Sequence, residues 1–220
     1  MHRTAMKSFV LRIINMLFGL FLYALGIVLA LNANIGYAPW EVFHVGLAVQ
    51  TGLSIGVASI VAGIAIVIIV TLCREKLGFG TLASMILTGV FIDMIMAMNI
   101  IPIMTNLVSG VIMLVTGLFI ISAGSCFYIK SAFGAGPRDN LMVVLTRYTK
   151  LSIGICRSMV ELAVTVVGWK LGGMVGIGTV ISVFAIGLCV HIIFTAFNFD
   201  ATAVQHETLQ ETINNLHKHH

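Results

Sequence analysis

Four ionisable side chains sit inside long apolar runs of this sequence, and three more open two short segments led by proline. An ionisable group held away from water is costly, so each marks a solute or ion pathway, a proton relay or a polar tie between helices. Arg157 and Glu161 are four apart in one run, which on a helix puts both on one face within ion-pair reach. They read as a structural or gating pair, or as part of a pathway. Asp93 lies deep in a second run and His191 in a third. A carboxylate and an imidazole there fit proton coupling, or two polar plugs that hold helices together.

Glu41 and Asp139 each follow a proline by two residues, in Gly36-Tyr-Ala-Pro39-Trp-Glu41 and Gly134-Ala-Gly136-Pro137-Arg138-Asp139. Proline suits the first helical position, where an N–H would be unpaired anyway. An acid in the first turn answers the free N–H groups and the positive end of the helix dipole. Such starts serve either as half-helix ends aimed at a central site or as ordinary capped interfacial helices. Each acid partly neutralises its helix end, so the motif alone selects no anionic ligand. Arg138 adds positive charge on one side only.

Other chemistries find no support. No nucleophile–base–acid constellation, metal cluster or nucleotide fingerprint is visible, so the expectation is no enzyme, no cofactor, no metal and no nucleic-acid partner. Cys73, Cys126, Cys156 and Cys189 lie in or beside apolar segments, without CxxC or Cys/His spacing. They read as small core residues. Two runs, Gly78-x-Gly80-Thr-x-x-Ser84 and Gly176-x-Gly178-Thr-x-x-Ser182, carry small residues four apart. That spacing lets helices approach closely, and with no Walker lysine it favours packing over phosphate binding.

The elements that must position these groups are membrane helices. Charged residues make up 9% of the 220, with 59% hydrophobic, whereas a soluble domain carries roughly 25% charged. Lipid must therefore be the main solvent. A helix needs about 20 apolar residues to cross the hydrocarbon. Six runs are predicted to span, over 10–31, 54–72, 79–98, 107–129, 153–169 and 178–197. The Pro-led stretches 39–50 and 137–148 are too short and read as re-entrant or interfacial half-helices. The initial apolar run resembles a signal peptide, but no small-x-small cleavage site follows it, and it reads as a retained helix.

Basic residues set the expected orientation. The N-terminus carries Arg3, Lys7 and Arg12, Arg74 and Lys76 follow the second span, and Lys130, Arg138, Arg147 and Lys150 lie between the fourth and fifth. The 32–53 and 99–106 loops have none. Both termini and the 73–78 and 130–152 loops are thus predicted on the cytoplasmic side, with Lys170 the exception. The spans form one membrane domain over 1–200. A short cytoplasmic tail follows over 199–220, where Val204, Leu209, Ile213 and Leu216 would share one helix face.

Sliding the sequence against itself by 98 residues aligns 19–96 with 117–194 without gaps, at 20 identities in 78 positions. Gly36-x-x-Pro39 falls on Gly134-x-x-Pro137, and Leu53-Ser54-Ile55-Gly56 on Leu151-Ser152-Ile153-Gly154. The two glycine-rich runs also align. Each unit, about 10–105 and 106–198, holds three spans, an odd number, so the second must enter from the opposite side. The charges agree, since the 32–53 loop lacks basic residues and its twin has four. Inverted repeats of this kind build many secondary transporters and some channels.

These motifs, with Phe91-Ile92-Asp93 and the Arg157-x-x-x-Glu161 helix, resemble the YczE/YyaS/YitT group of bacterial membrane proteins, closest to its YczE branch, over roughly 10–197. The Gly-Pro-Arg-Asp segment and the Arg-x-x-x-Glu helix are the most specific part. The resemblance implies a bacterial cytoplasmic-membrane protein from a group with members linked to lipopeptide production. The leading expectation is a small secondary transporter or permease for an unknown small solute or ion. A passive channel and a non-transporting accessory protein are the alternatives, and the small size and Gly/Ser faces allow a homodimer.

Overall fold

The computed structural model describes residues 2–75, 78–134, 136–199 and 204, without the side chains of residues 2–8 and 153. Eight helices are formed among them. They are α1 (His2–Asn32), α2 (Pro39–Thr51), α3 (Ile55–Leu72), α4 (Phe79–Met98), α5 (Leu107–Lys130), α6 (Pro137–Thr149), α7 (Ile153–Lys170) and α8 (Ile177–Ala196). Local chemistry sets the boundaries. Proline is the first residue of α2 and of α6. Ser54 and Ser152 start α3 and α7, their hydroxyls accepting from the N–H of Val57 and Ile155. These bonds answer N–H groups that have no partner within the helix.

Five segments are long and apolar enough to cross a membrane: Phe9–Asn32, α3, α4, α5 and α8. The fifth expected span behaves differently. Pro137–Thr149 and Gly154–Lys170 meet that test only as a pair, bent by 116°. Arg157, Glu161 and Lys170 make α7 more polar than its neighbours. The chain is thus an all-helical multi-pass membrane protein with five spans, or six if the bent pair counts as one. At 13 residues, α2 is too short to cross. Large apolar side chains are exposed along the outer faces, among them Leu72, Leu162, Phe184 and Leu188, as lipid requires and water would not allow. Of the polar tail, residues 200–203 and 205–220 lie outside the described residues, as does Lys76 of the 73–78 loop.

At the centre α1 and α5 cross antiparallel, and glycines set their separation. A Cβ on Gly19 would stand 2.8 Å from the carbonyl oxygen of Gly124, and one on Gly26 would stand 2.6 Å from that of Gly117. No side chain fits there, so the backbones approach closely. Around this crossing α4 packs on α1, α8 on α5, α2 on α7 and α3 on α6. The α3–α4 pair is packed as well, whereas α7 has no comparable contact with α8.

Gly78, Gly80, Gly176 and Gly178 sit in close contacts, but their main partners are loops rather than helices. The N–H of Gly80 donates to the Phe133 carbonyl and that of Gly178 to the Ile35 carbonyl, both at 2.7 Å. Gly36 (φ +112°) lies against Gly176, and Gly134 (φ +135°) against Gly78. Both φ values lie where an L side chain is strained. These contacts anchor the chain just before α2 and α6. Each pair turns into the other when the two halves of the 98-residue alignment are exchanged. Ser84 and Ser182 are buried behind these contacts.

Candidate functional site

The starts of α2 and α6 meet at one cavity of about 310 Å³, within the size range of small-molecule pockets. Pro39 and Pro137 bring both helix starts to it. Trp40 and His44 of α2 line the wall, with Arg138 and Asp139 of α6 and Arg157 and Glu161 of α7. Tyr23 of α1 and Tyr128 of α5 complete the polar part, and Ile66, Ile121 and Phe194 are among the apolar lining. Ser84, expected as a packing residue, also reaches this wall.

Charges here are arranged in neighbouring pairs. The guanidinium carbon of Arg138 lies 4.6 Å from the centre of the Trp40 ring. Its Nη2 is 3.8 Å from Oε1 of Glu41, whose side chain is 8% exposed. Glu41 thus stands behind Arg138 and balances it at a distance longer than a hydrogen bond. Arg157 Nε donates to Glu161 Oε1 at 2.9 Å. The Arg157 side chain is 59% exposed and that of Glu161 19%. The second pair is therefore loose on its arginine side, and a solute could exchange for it at little cost.

Tyr128 Oη donates to the Gly134 carbonyl at 2.9 Å, which ties the end of α5 to the loop that enters α6. His44 is buried beside Trp40 and Phe43. Among the described residues no three of His, Cys, Asp and Glu gather as a metal site. Those four cysteines are free, with Cys126, Cys156 and Cys189 buried.

The cavity thus brings together Arg138, Asp139, Arg157 and Glu161, with Glu41 just behind. Asp93 lies apart. It accepts from the Ser54 hydroxyl and from the Gly56 N–H, the latter at 2.8 Å, and so ties α4 to the start of α3. His191 is exposed on α8 and does not line the cavity. Sequence reasoning missed Tyr23, Trp40, His44 and Tyr128. Trp40 alone carried a signal, because the 98-residue alignment places it on Arg138.

Residues 10–195 match a family described as a family of unknown function, DUF6198. The chain is 34% identical to an uncharacterized protein of Haemophilus influenzae, over 78% of each chain. It is 34% identical to the uncharacterized membrane protein YczE of Bacillus subtilis, over 77% of this chain and 79% of that one. With YyaS of Bacillus subtilis it shares 28% identity over 79% of this chain and 88% of the relative. No solved structure matches it.

Proposed function

The chain belongs to the DUF6198 family, and we propose that it is a small secondary transporter of the bacterial cytoplasmic membrane whose solute site is this cavity. One observation carries the reading: two Pro-led half-helices, 98 residues apart, start at the same charge-lined cavity. Helix starts facing a site from opposite sides are how inverted-repeat transporters bind solutes near the membrane midplane. The exchanged contacts support a two-fold relation between the halves, and the antiparallel crossing of the equivalent helices α1 and α5 supports its inverted sense. Gly80 on Phe133 and Gly178 on Ile35 are one contact written twice, as a two-fold axis between the halves would produce.

The packing favours a transporter over a passive channel. On one flank α3 and α4 are held together by Gly56, Gly89 and the Asp93 bonds; on the other, α7 stands off from α8. A channel needs both flanks open, whereas a transporter opens one at a time. The solute is small and polar, meeting both signs of charge at Arg138, Arg157, Asp139 and Glu161.

The test is flux into proteoliposomes across a panel of metabolites and ions, with Glu161→Gln and Asp139→Asn singly and combined. At least one solute should be moved by the native chain and lose its flux in the double variant. Equal flux in both would overturn the site assignment. No movement across the panel, together with a stoichiometric partner on mild purification, would favour an accessory role.

A further inference from the structure

On the packed flank, a Cβ on Gly89 would stand 2.5 Å from the Gly56 carbonyl oxygen, so α3 and α4 touch through their backbones. Asp93 completes the contact. It accepts from Ser54 and from the N–H of Gly56, a first-turn donor that its own helix cannot satisfy. The same four positions recur 98 residues later as Ser152, Gly154, Gly187 and His191. There all four are exposed, and a Cβ on Gly154 or Gly187 would meet nothing within 4 Å.

Gly154, Gly187 and His191 are poorly suited to an unpacked helix face. Glycine within a helix costs about 1 kcal/mol relative to alanine, and nothing packed against Gly187 offsets that. An imidazole in an apolar helix needs a polar partner. The first-turn N–H of Gly154 lacks a partner in its own helix, and a neutral imidazole has one ring nitrogen free to accept it. Both helices also wall the cavity, α7 through Arg157 and Glu161 and α8 through Ile186, Val190 and Phe194.

We infer that Ser152, Gly154, Gly187 and His191 are the two faces of a second gate, open in this conformation, that shuts α7 onto α8 over the cavity when α3 and α4 part. The gate rests on the transporter reading, and it gives that reading its second state. In that state Gly154 meets Gly187 backbone to backbone, and His191 accepts from the α7 start as Asp93 does from the α3 start.

Disulfide trapping tests it. In a full-length chain with Cys73, Cys126, Cys156 and Cys189 replaced by serine, Ser152→Cys with His191→Cys should cross-link within one chain on oxidation in proteoliposomes. Adding Gly187→Leu should abolish that cross-link while extracted protein remains as monodisperse and heat-stable as its parent. In the native-cysteine background, Gly187→Leu should likewise keep stability and lose flux. A cross-link between two chains instead would overturn the gate and make this face a dimer contact. Absence of the 152–191 cross-link in a chain that still carries solute would also overturn the gate and leave the transporter reading standing. A cross-link without flux of any solute would show that α7 closes on α8 but would overturn the transporter reading, and with it this closure's role as a transport gate. A fall in heat stability on Gly187→Leu would show that the glycine is already packed, and would also overturn it.

Discussion

Trp40 and Arg138 hold the same position in sequence segments 98 residues apart, and in the folded chain they meet, the guanidinium carbon over the indole ring at 4.6 Å. Each opens its half-helix one residue after the proline. A pair of equivalent positions in contact is what a two-fold axis passing between them would give. The stack does two jobs. It packs the guanidinium without a full hydrogen-bonded partner, and it leaves the N–H edge of Arg138 free to face Glu41 on one side and the cavity on the other.

A double-mutant cycle measures that stack. Arg138→Met and Trp40→Leu should each lower stability in detergent, and the two losses should be non-additive by about 0.5–2 kcal/mol, the range for a partly desolvated cation–π pair. Arg138→Lys should fall between Arg138→Met and the native chain, since lysine keeps the charge but not the flat face. Additive losses would mean the ring and the guanidinium only happen to be near each other.

The α1–α5 crossing gives a sharp steric test. A side chain at Gly26 would run into the backbone of Gly117 and the side chain of Ile121. Gly26→Leu should therefore cost more than the about 1–3 kcal/mol of ordinary overpacking, because backbone cannot repack. The expected result is loss of monodisperse protein on size-exclusion chromatography. Gly154→Ala, at a glycine with open space around it, is the matched control and should leave the elution profile unchanged.

Asp93 and His191 separate by the same logic. Asp93→Ala strips the buried Gly56 N–H of its acceptor, and leaving a buried donor unpaired costs about 1–3 kcal/mol. His191→Ala removes a side chain that is exposed and should leave stability within error. Thermal unfolding of the two variants side by side decides it. Equal losses would show that His191 already makes a packed contact.

Much of this was legible because lipid imposes simple rules. Apolar runs of fixed length gave the helices, Pro39 and Pro137 gave the half-helix starts, and the spacing of Arg157 and Glu161 gave their ion pair. The helix that carries each residue was legible, but the direction it faces around that helix was not. Asp93 and His191 both read as buried from their place in an apolar run, yet one caps a neighbouring helix and the other is exposed. A run that is apolar all round has little periodicity to tell its faces apart. The glycine runs show a related limit. Small residues four apart announced close contact, but Gly80 and Gly178 accommodate the backbone of a distant loop, and sequence spacing on one helix cannot name what approaches it. The aromatic wall of Tyr23 and Tyr128 left no local mark at all, because an aromatic residue in a membrane helix is as often simple packing.

The orientation of the two halves remains the premise with the cleanest test, at the last residues of α2 and α6. Thr51 and Thr149 are aligned at the 98-residue offset, both are exposed, and each hydroxyl donates back to a carbonyl four residues earlier at 2.7 Å. Their surroundings differ in kind. Gln50, beside Thr51, donates to the Leu171 carbonyl in the turn after α7. Arg147, two residues before Thr149, pairs at 2.7 Å with Glu75 in the loop after α3. Arg74, Arg147 and Lys150 gather around the second end and Lys170 alone lies beside the first, so the positive-inside rule predicts Thr149 on the cytoplasmic side and Thr51 on the outer side. In a chain without native cysteines, an impermeant maleimide added to intact cells should label Thr51→Cys at once, and Thr149→Cys only after permeabilisation. Labelling of both from one side would place the two half-helices on the same face of the membrane, leaving no route by which the cavity opens to each solution in turn.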